Sequence, residues 1–452
     1  MRCAALTRPC ARFGRWPEAA QPVVRPVDQP LPAPCDDFAD LIEPFSRRGV
    51  DLGLERLQAA LAELGHPERR FAAVQVAGTN GKGSICTLVH QALLAAGIKA
   101  GLYTSPHLVS WSERICLGSE TIAPAELRRH LKTAAPVASR HGLTPFELVT
   151  AAAFLAFAEA RLPLVVLEVG LGGRLDATSC HPDRPVIGLA SIGLDHREFL
   201  GPDLASIAAE KAGVLQPGCI AISAPQTPEA SAVLEARAAA VGAELRWVDP
   251  LARSATGELW LGGRAVAQWA PCGLPGAVQA SNAAVAQGVL QALAERGWPI
   301  DGDAICRGFG AARWPGRLQQ LEWHGLPLLL DGAHNPPAAL ELRAELDAHP
   351  QRHGLAPGPR HWVIGMLANK QGPEIVAALL APGDRAWIVP VPGHPSWSQV
   401  QLAAQLPALA NQLEVASDLQ DAACRATGPQ RCRVVVAGSL YLLGSLLARS
   451  LD

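Results

Sequence analysis

The chain has no excess of charge of one sign: 39 Lys and Arg face 41 Asp and Glu, a formal net charge of −2. Such a balance gives no electrostatic footprint for nucleic acid or an anionic membrane, so a negative ligand must be met by a few local cations. Long apolar runs are also missing. The longest, Leu148 to Ala158, is too short to span a bilayer and is followed by Glu159 and Arg161. The 11 cysteines include no C-x-x-C pair and no Cys/His cluster at zinc spacing. Odd in number and dispersed, they read as reduced thiols, and the expected location is cytoplasmic. No nucleic-acid or membrane partner is expected, and a monomer is.

What is present is a globular composition, 49 % apolar and 18 % charged, over 452 residues. That length exceeds one ordinary hydrophobic core and makes two domains the default. Residues 1–35 stand apart, with Arg2, Arg8, Arg12, Arg15 and Arg25 among seven prolines and only Glu18 and Asp28 as acids. The prolines break any amphipathic helix a transit peptide would need, so this segment reads as a disordered extension or a start assigned too early.

From Asp36 the pattern becomes regular. Leu52, Leu54, Leu57, Leu61 and Leu64 predict an amphipathic helix ending at Gly65. Phe71–Ala77 reads as a buried strand, residues 78–84 as a glycine-rich turn, and Ile85–Ala96 as a helix. Further strands are expected at Leu164–Val169, Val186–Ile192, Ile220–Ser223, Leu326–Leu330, Trp362–Met366, Ala386–Val391 and Val434–Ala437, with helices between most of them. Alternating β and α elements imply a mainly parallel sheet covered on both faces. The expected domains are 36–310 and 311–452.

The stretch Gly78-Thr79-Asn80-Gly81-Lys82-Gly83-Ser84 carries the most chemistry. Placed between a buried strand and a helix, its glycines let backbone N–H groups turn toward an anion, and the helix adds its positive end. Lys82 would reach terminal phosphates and Ser84 would offer a hydroxyl to Mg²⁺. The spacing is not that of G-x-x-x-x-G-K-[ST], because Gly83 separates Lys from Ser. Glu168, closing an apolar run, suits a Mg²⁺-holding carboxylate at a parallel strand's C-terminal end. His196 could be a ligand or an ordinary loop histidine. Lys211 and Arg317 by themselves read as surface cations, and Phe146 as readily as a core aromatic.

The loop resembles the P-loop of folylpolyglutamate synthases and dihydrofolate synthases, within the Mur ligase superfamily. Glu-Val-Gly-Leu-Gly-Gly-Arg-Leu-Asp-Ala-Thr at 168–178, Asp-His-x-x-x-Leu-Gly at 195–201 and Glu-Lys-Ala-Gly at 210–213 follow in that family's order. Ser105-Pro-His-Leu108, Glu113-Arg-Ile115, Thr144-Pro-Phe-Glu147, Pro315-Gly-Arg317, Asp331-Gly-Ala-His-Asn335 and Gly438-Ser-Leu-Tyr441 are similar to further family motifs. The resemblance implies α/β architecture: a P-loop-containing, mainly parallel ATPase domain and a smaller Rossmann-like α/β C-terminal domain.

It also implies function: an ATP-dependent ligase of folate biosynthesis and one-carbon metabolism. Such an enzyme adds L-glutamate to dihydropteroate, to the γ-carboxylate of folates, or to both, through an acyl phosphate. Two Mg²⁺ ions are implied, with Ser84, Glu168, His196 and a carbamylated Lys211 as ligands. Asn282, Arg317, Asp331 and His334 would bind nucleotide, Lys82, Lys211, Arg317 and His196 would serve catalysis, and Phe146 and Asp176 would line the pterin pocket. One departure is that Asn369 and Gln371 flank Lys370 where the family commonly has acids. The alternatives are another amino-acid ligase of the superfamily, or a non-catalytic nucleotide-binding protein. Fewer than about 80 residues precede the loop, so the UDP-sugar domain of a Mur enzyme is not expected.

Overall fold

The computed structural model describes residues 37–254, 256–262, 267–428 and 432–449. The expectations for residues 1–35 lie outside the described residues. The first sheet is built from β1 (Ala72–Ala77), β2 (Ala100–Tyr103), β3 (Ile115–Leu117), β4 (Glu120–Thr121), β5 (Leu164–Glu168), β6 (Val186–Leu189), β7 (Ile220–Ser223) and β8 (Glu244–Trp247). Their order is β4-β3-β2-β5-β1-β6-β7-β8, parallel except at β3 and β4. Val74 and Val76 on one face of β1 join a core with Ile85, Val89, Val285 and Phe309, contributed by helices Lys82–Ala95, Gln279–Glu295 and Gly302–Ala311. Ala73 and Ala77 face the opposite layers, as strand alternation requires. Burial on both faces explains why these strands read as continuous apolar runs.

The chain leaves β1, returns on the far side of β5 as β2, and later crosses to the other flank as β6. The carboxyl end of β1 is therefore a topological switch point, where diverging connections open a crevice. The glycine-rich loop emerges there.

A two-stranded hairpin follows, β9 (Leu259–Gly262) with β10 (Ala267–Ala270). The second sheet comprises β11 (Gln319–Trp323), β12 (Leu326–Leu330), β13 (His361–Ile364), β14 (Arg385–Ile388), β15 (Leu413–Val415) and β16 (Val434–Ala437). Its order is β11-β12-β16-β13-β14-β15, with only β11 antiparallel to its neighbour. Helices cover both faces around the fully buried Trp362 and the Val434–Ala437 strand. The expected division at 310/311 falls at the last residue of helix Gly302–Ala311, eight residues before β11 begins. No helix among the described residues is long and apolar enough to cross a membrane.

The strands expected at Trp362–Met366 and Ala386–Val391 end at Ile364 and Ile388, and three further boundaries need correction. Helix Ile85–Ala96 begins earlier, at Lys82, because Gly81 takes a left-handed conformation (φ 95°) and caps it. The strand expected at Val186–Ile192 ends at Leu189, since Ser191 turns aside to bridge Asn80. Asp195 and His196 thus sit on a loop. The leucine-patterned helix spans only Glu55–Glu63.

Candidate active site

Three segments hold the loop after β1. Thr79 and Asn80 N–H groups both donate to Ser191 O, at 2.8 and 3.4 Å. The Thr79 hydroxyl donates to Gly193 O and accepts from Gly193 N, each at 3.0 Å. At Gly81 any Cβ would overlap the Asn282 side chain, so Asn282 lies directly against the loop. Its Nδ2 donates to Gln279 Oε1 at 3.0 Å. Lys82, at the first position of its helix, folds back so that Nζ donates to Gly78 O at 3.2 Å and Thr79 O at 3.0 Å.

Lys211, buried on helix Leu204–Ala212, donates to the same Gly78 oxygen at 2.9 Å. Burial pushes its amine down to about 7, and the nearby Lys82 charge adds to the effect against opposition from Asp195 and Asp176. Glu168 ends β5 beside the loop, also buried. Ser105 N donates to its Oε2 at 3.0 Å, and its other oxygen accepts no hydrogen bond among the described residues. Burial raises its pKa, opposed first by Lys82 and then by the Ser105 bond, Arg317 and Arg114. His196 has its pKa lowered by burial, with Asp195 pulling it back. Lys82 is thus the common electrostatic neighbour of Glu168, His196 and Lys211. Ser84, in the first turn of the same helix, is buried. Among the described residues, no group of three or more His, Cys, Asp and Glu side chains could hold a metal by itself.

The second sheet presents the rest. Asp331 follows β12 and ties its own turn to the segment bearing Arg317, accepting from Ala333 N at 2.9 Å on Oδ1 and from Leu318 N at 3.0 Å on Oδ2. Burial raises its pKa and the Arg317 guanidinium opposes this. Arg317 lies over Gly332 and makes no ion pair or hydrogen bond among the described residues. His334 Nδ1–H donates to Gly332 O at 2.7 Å, which fixes the tautomer and leaves Nε2 as an acceptor. Burial lowers its pKa to about 4, so the ring is neutral.

Phe146 and Asp176 stand together a little apart, both against Gly170: a Cβ there would lie 2.6 Å from the Phe146 ring and 3.2 Å from Asp176 Oδ2. Asp176 presents no free acceptor. Its Oδ2 takes Gly170 N and Leu171 N, each at 3.0 Å, and its Oδ1 takes Thr178 N and Oγ1 at 3.0 and 2.5 Å. Thr144 and Glu147, flanking Phe146 in sequence, cap the N-terminus of helix Pro145–Glu159.

Sequence reasoning missed a polar link between the two sheets. Asp195 accepts from Lys370 Nζ on Oδ1 at 2.8 Å and from Asn335 Nδ2 on Oδ2 at 3.0 Å. The side chains of Asn80 and Asn335 exchange amide hydrogen bonds at 3.0 and 3.1 Å. Burial acts to raise the Asp195 carboxyl, but Lys370, His196 and His334 together outweigh it and hold it well below the usual range. Asp195, Asn335 and Lys370 each sit inside motifs quoted above. What the sequence lacked was the pairing, which spans 175 residues for Asp195 and Lys370.

A phosphate-type loop at a switch point, with cations and carboxylates converging on it from two α/β sheets, marks the site of a nucleotide-using enzyme. The C-terminal segment 316–449 matches the family model "Dihydrofolate synthetase, C-terminal domain". The chain is 31 % identical over 432 residues to dihydrofolate synthetase of Saccharomyces cerevisiae, covering 88 % of this chain and 97 % of that protein. It superposes on Mycobacterium tuberculosis folylpolyglutamate synthase complexed with ADP and AMPPCP with a TM-score of 0.81 at 29 % identity, covering 92 % of this chain and 99 % of that one. On the Yersinia pestis bifunctional folylpolyglutamate synthase/dihydrofolate synthase complexed with AMPPNP and Mn, the TM-score is 0.76 at 32 % identity, covering 91 % and 96 %. The chain belongs to the folylpolyglutamate synthase/dihydrofolate synthase family of ligases.

Proposed function

We propose that this ligase uses ATP and Mg²⁺ to join L-glutamate to dihydropteroate, to the γ-carboxylate of a folate, or to both. The observation that carries the reading is the convergence of Lys82 and Lys211 on Gly78 O beside buried Glu168. Arg317, Asp331 and His334 complete it from the second sheet.

In the first step a carboxylate oxygen of the acceptor attacks the γ-phosphorus of ATP. The bond from that phosphorus to the bridging oxygen breaks, ADP leaves, and an acyl phosphate forms. Lys82 and Arg317 offset the charge on the transferring group, and Asn282, Asp331 and His334 position the nucleotide. In the second step the free amine of glutamate attacks the acyl carbon. Phosphate leaves with the C–O electron pair, the nitrogen loses a proton, and an amide remains. Asn80, Asn335, Asp195 and Lys370 hold the two sheets together over the reacting groups, which excludes water from the acyl phosphate.

The donor set fits two Mg²⁺ ions if Lys211 supplies oxygen: Ser84 and Glu168 already present oxygen beside the loop, whereas an ammonium at Lys211 would repel a cation. An amine brought down to about 7 is available for this: the neutral nitrogen adds to CO₂, releases a proton, and becomes a carbamate. Ser84, Glu168, His196 and carbamylated Lys211 would then hold the ions, which supply charge neutralisation on the phosphoryl group. On the substrate side the Phe146 ring offers a stacking face for a pterin, and a ring N–H reaching Asp176 displaces one of the four donors it now holds. The yeast relative's name supports synthesis of a dihydrofolate, and the Yersinia pestis relative's name supports both activities.

The mechanism is tested with acceptor carrying ¹⁸O in its carboxylate. Transfer of one ¹⁸O to the released phosphate is expected, and unlabelled phosphate would rule out the acyl phosphate.

A further inference from the structure

We propose that Trp314 is a positioning residue that locks the phosphate loop to the turn bearing Arg317; this rests on reading residues 78–84 as the nucleotide's phosphate loop. Gly83 lies inside helix Lys82–Ala95 and, unlike Gly78 and Gly81, has no positive φ. Backbone conformation therefore does not require glycine there. The contact explains it. A Cβ at position 83 would sit 2.7 Å from Trp314 Cζ2, 2.9 Å from Cε2 and 3.0 Å from Nε1, inside van der Waals distance of the indole edge.

The indole is itself held, packing against the core that contains Ile85, Phe309 and Ala312. Three residues later comes Arg317, on a turn with few freedoms. Gly316 N donates to Gln319 Oε1 and Gly316 O accepts from Gly332 N, both at 2.8 Å. Leu318 N is fixed on Asp331. A rigid path therefore runs from Gly83, next to Lys82 and Ser84, through the indole to Arg317. The indole sets the separation between the loop cation and the guanidinium that share the transferring phosphoryl group. It also gives a physical reason for glycine between Lys82 and Ser84.

The test is a double-mutant cycle of Gly83→Ala and Trp314→Ala on the full chain, read by kcat, KM for ATP, ADP affinity and melting temperature. Gly83→Ala is expected to lower kcat by ~10²-fold, the effect of displacing reacting groups by about an ångström. Trp314→Ala is expected to lower kcat roughly 10-fold with little change in ADP affinity, and Trp314→Phe to recover part of the loss. In the double variant the alanine at 83 should cost nothing beyond Trp314→Ala. A double variant as impaired as Gly83→Ala would overturn the proposal, since the glycine would then be needed for close approach of phosphate itself. So would a Trp314→Ala enzyme with wild-type kcat. If Gly83→Ala does not fold, Trp314→Ala and Trp314→Phe decide the matter: a merely structural role lowers the melting temperature and leaves kcat of the folded enzyme unchanged. Failure of the wild type to bind ADP would instead remove the nucleotide reading on which the inference stands.

Discussion

The side-chain nitrogens of Lys82 and Lys211 meet at one acceptor, both donating to the carbonyl oxygen of Gly78, from 3.2 and 2.9 Å. Two ammonium groups at that spacing oppose each other, and the more buried one gives way. Lys211 accordingly has its pKa brought down to about 7, first by burial and then by Lys82.

That relationship predicts a stability profile. Between pH 7 and the unfolded lysine's value of about 10.4, the unfolded chain holds the Lys211 proton and the folded chain does not, so stability rises with pH in this window. Below pH 7 both states are protonated and the full penalty applies. In CO₂-free buffer, urea melts at pH 7 and pH 10 should show a pH-dependent gain on the order of 4 kcal/mol in the wild type that Lys211→Met lacks. Equal pH dependence in the two proteins would contradict the assignment. With bicarbonate present, the same substitution should also abolish turnover.

The pair Asp195–Lys370 predicts a second effect. Both side chains are largely buried, 11 % and 12 % exposed, so removing one partner strands the other. Lys370→Met should cost about 3 kcal/mol or more in urea melts near pH 7, and the double variant with Asp195→Asn should cost less than the single. The stability Asp195 contributes is present above its unfolded value of about 4 and is lost as pH falls toward its depressed folded value. Acid melts of Lys370→Met should show a smaller component, since His196 and His334 still face Asp195. Additive losses in the double variant would mean that the two groups are not coupled.

Arg317 opposes the effect of burial on both Glu168 and Asp331. Arg317→Ala should lower kcat by roughly 10²–10³-fold, because the lost interaction is with charge that develops in the transition state. Both carboxyls should also rise, moving the acid limb of the pH–rate profile to higher pH. A variant changed only in KM would place Arg317 in ground-state binding instead.

On the substrate side, Phe146→Ala should raise KM for the pteroate or folate acceptor about 10-fold while leaving KM for ATP unaltered, and Phe146→Tyr should stay near wild type. Equal effects on both substrates would make the ring a packing residue for the loop at Gly170.

Much of this was legible in the sequence where local pattern and burial agree. Ile220–Ser223, Leu326–Leu330 and Val434–Ala437 are short apolar runs buried on both faces, and they form strands over those residues. Strands β2, β3, β4, β8, β9, β10, β11 and β15 were missed. They are two to five residues long, and Glu244–Trp247, Gln319–Trp323 and the hairpin carry exposed positions that dilute the apolar signal. The loop chemistry was legible because glycine, lysine and serine stand next to one another. Pairings made by tertiary structure alone, such as Lys370 with Asp195, Asn80 with Asn335 and Trp314 with Gly83, leave no periodic trace in the chain. The saturation of Asp176 by its own loop was equally invisible, since a capping carboxylate and a ligand-binding one look alike in sequence.

The central claim is ligation of glutamate to a pteroate or folate, and acceptor-dependent ADP release tests it most directly. Folded enzyme supplied with bicarbonate, Mg·ATP and L-glutamate would be compared with dihydropteroate, with tetrahydrofolate and with no acceptor. The account predicts ADP, phosphate and a new amide in equal amounts with at least one acceptor and none without; turnover with both would make the enzyme bifunctional. No turnover with either acceptor, or ADP release indifferent to their presence, would contradict it.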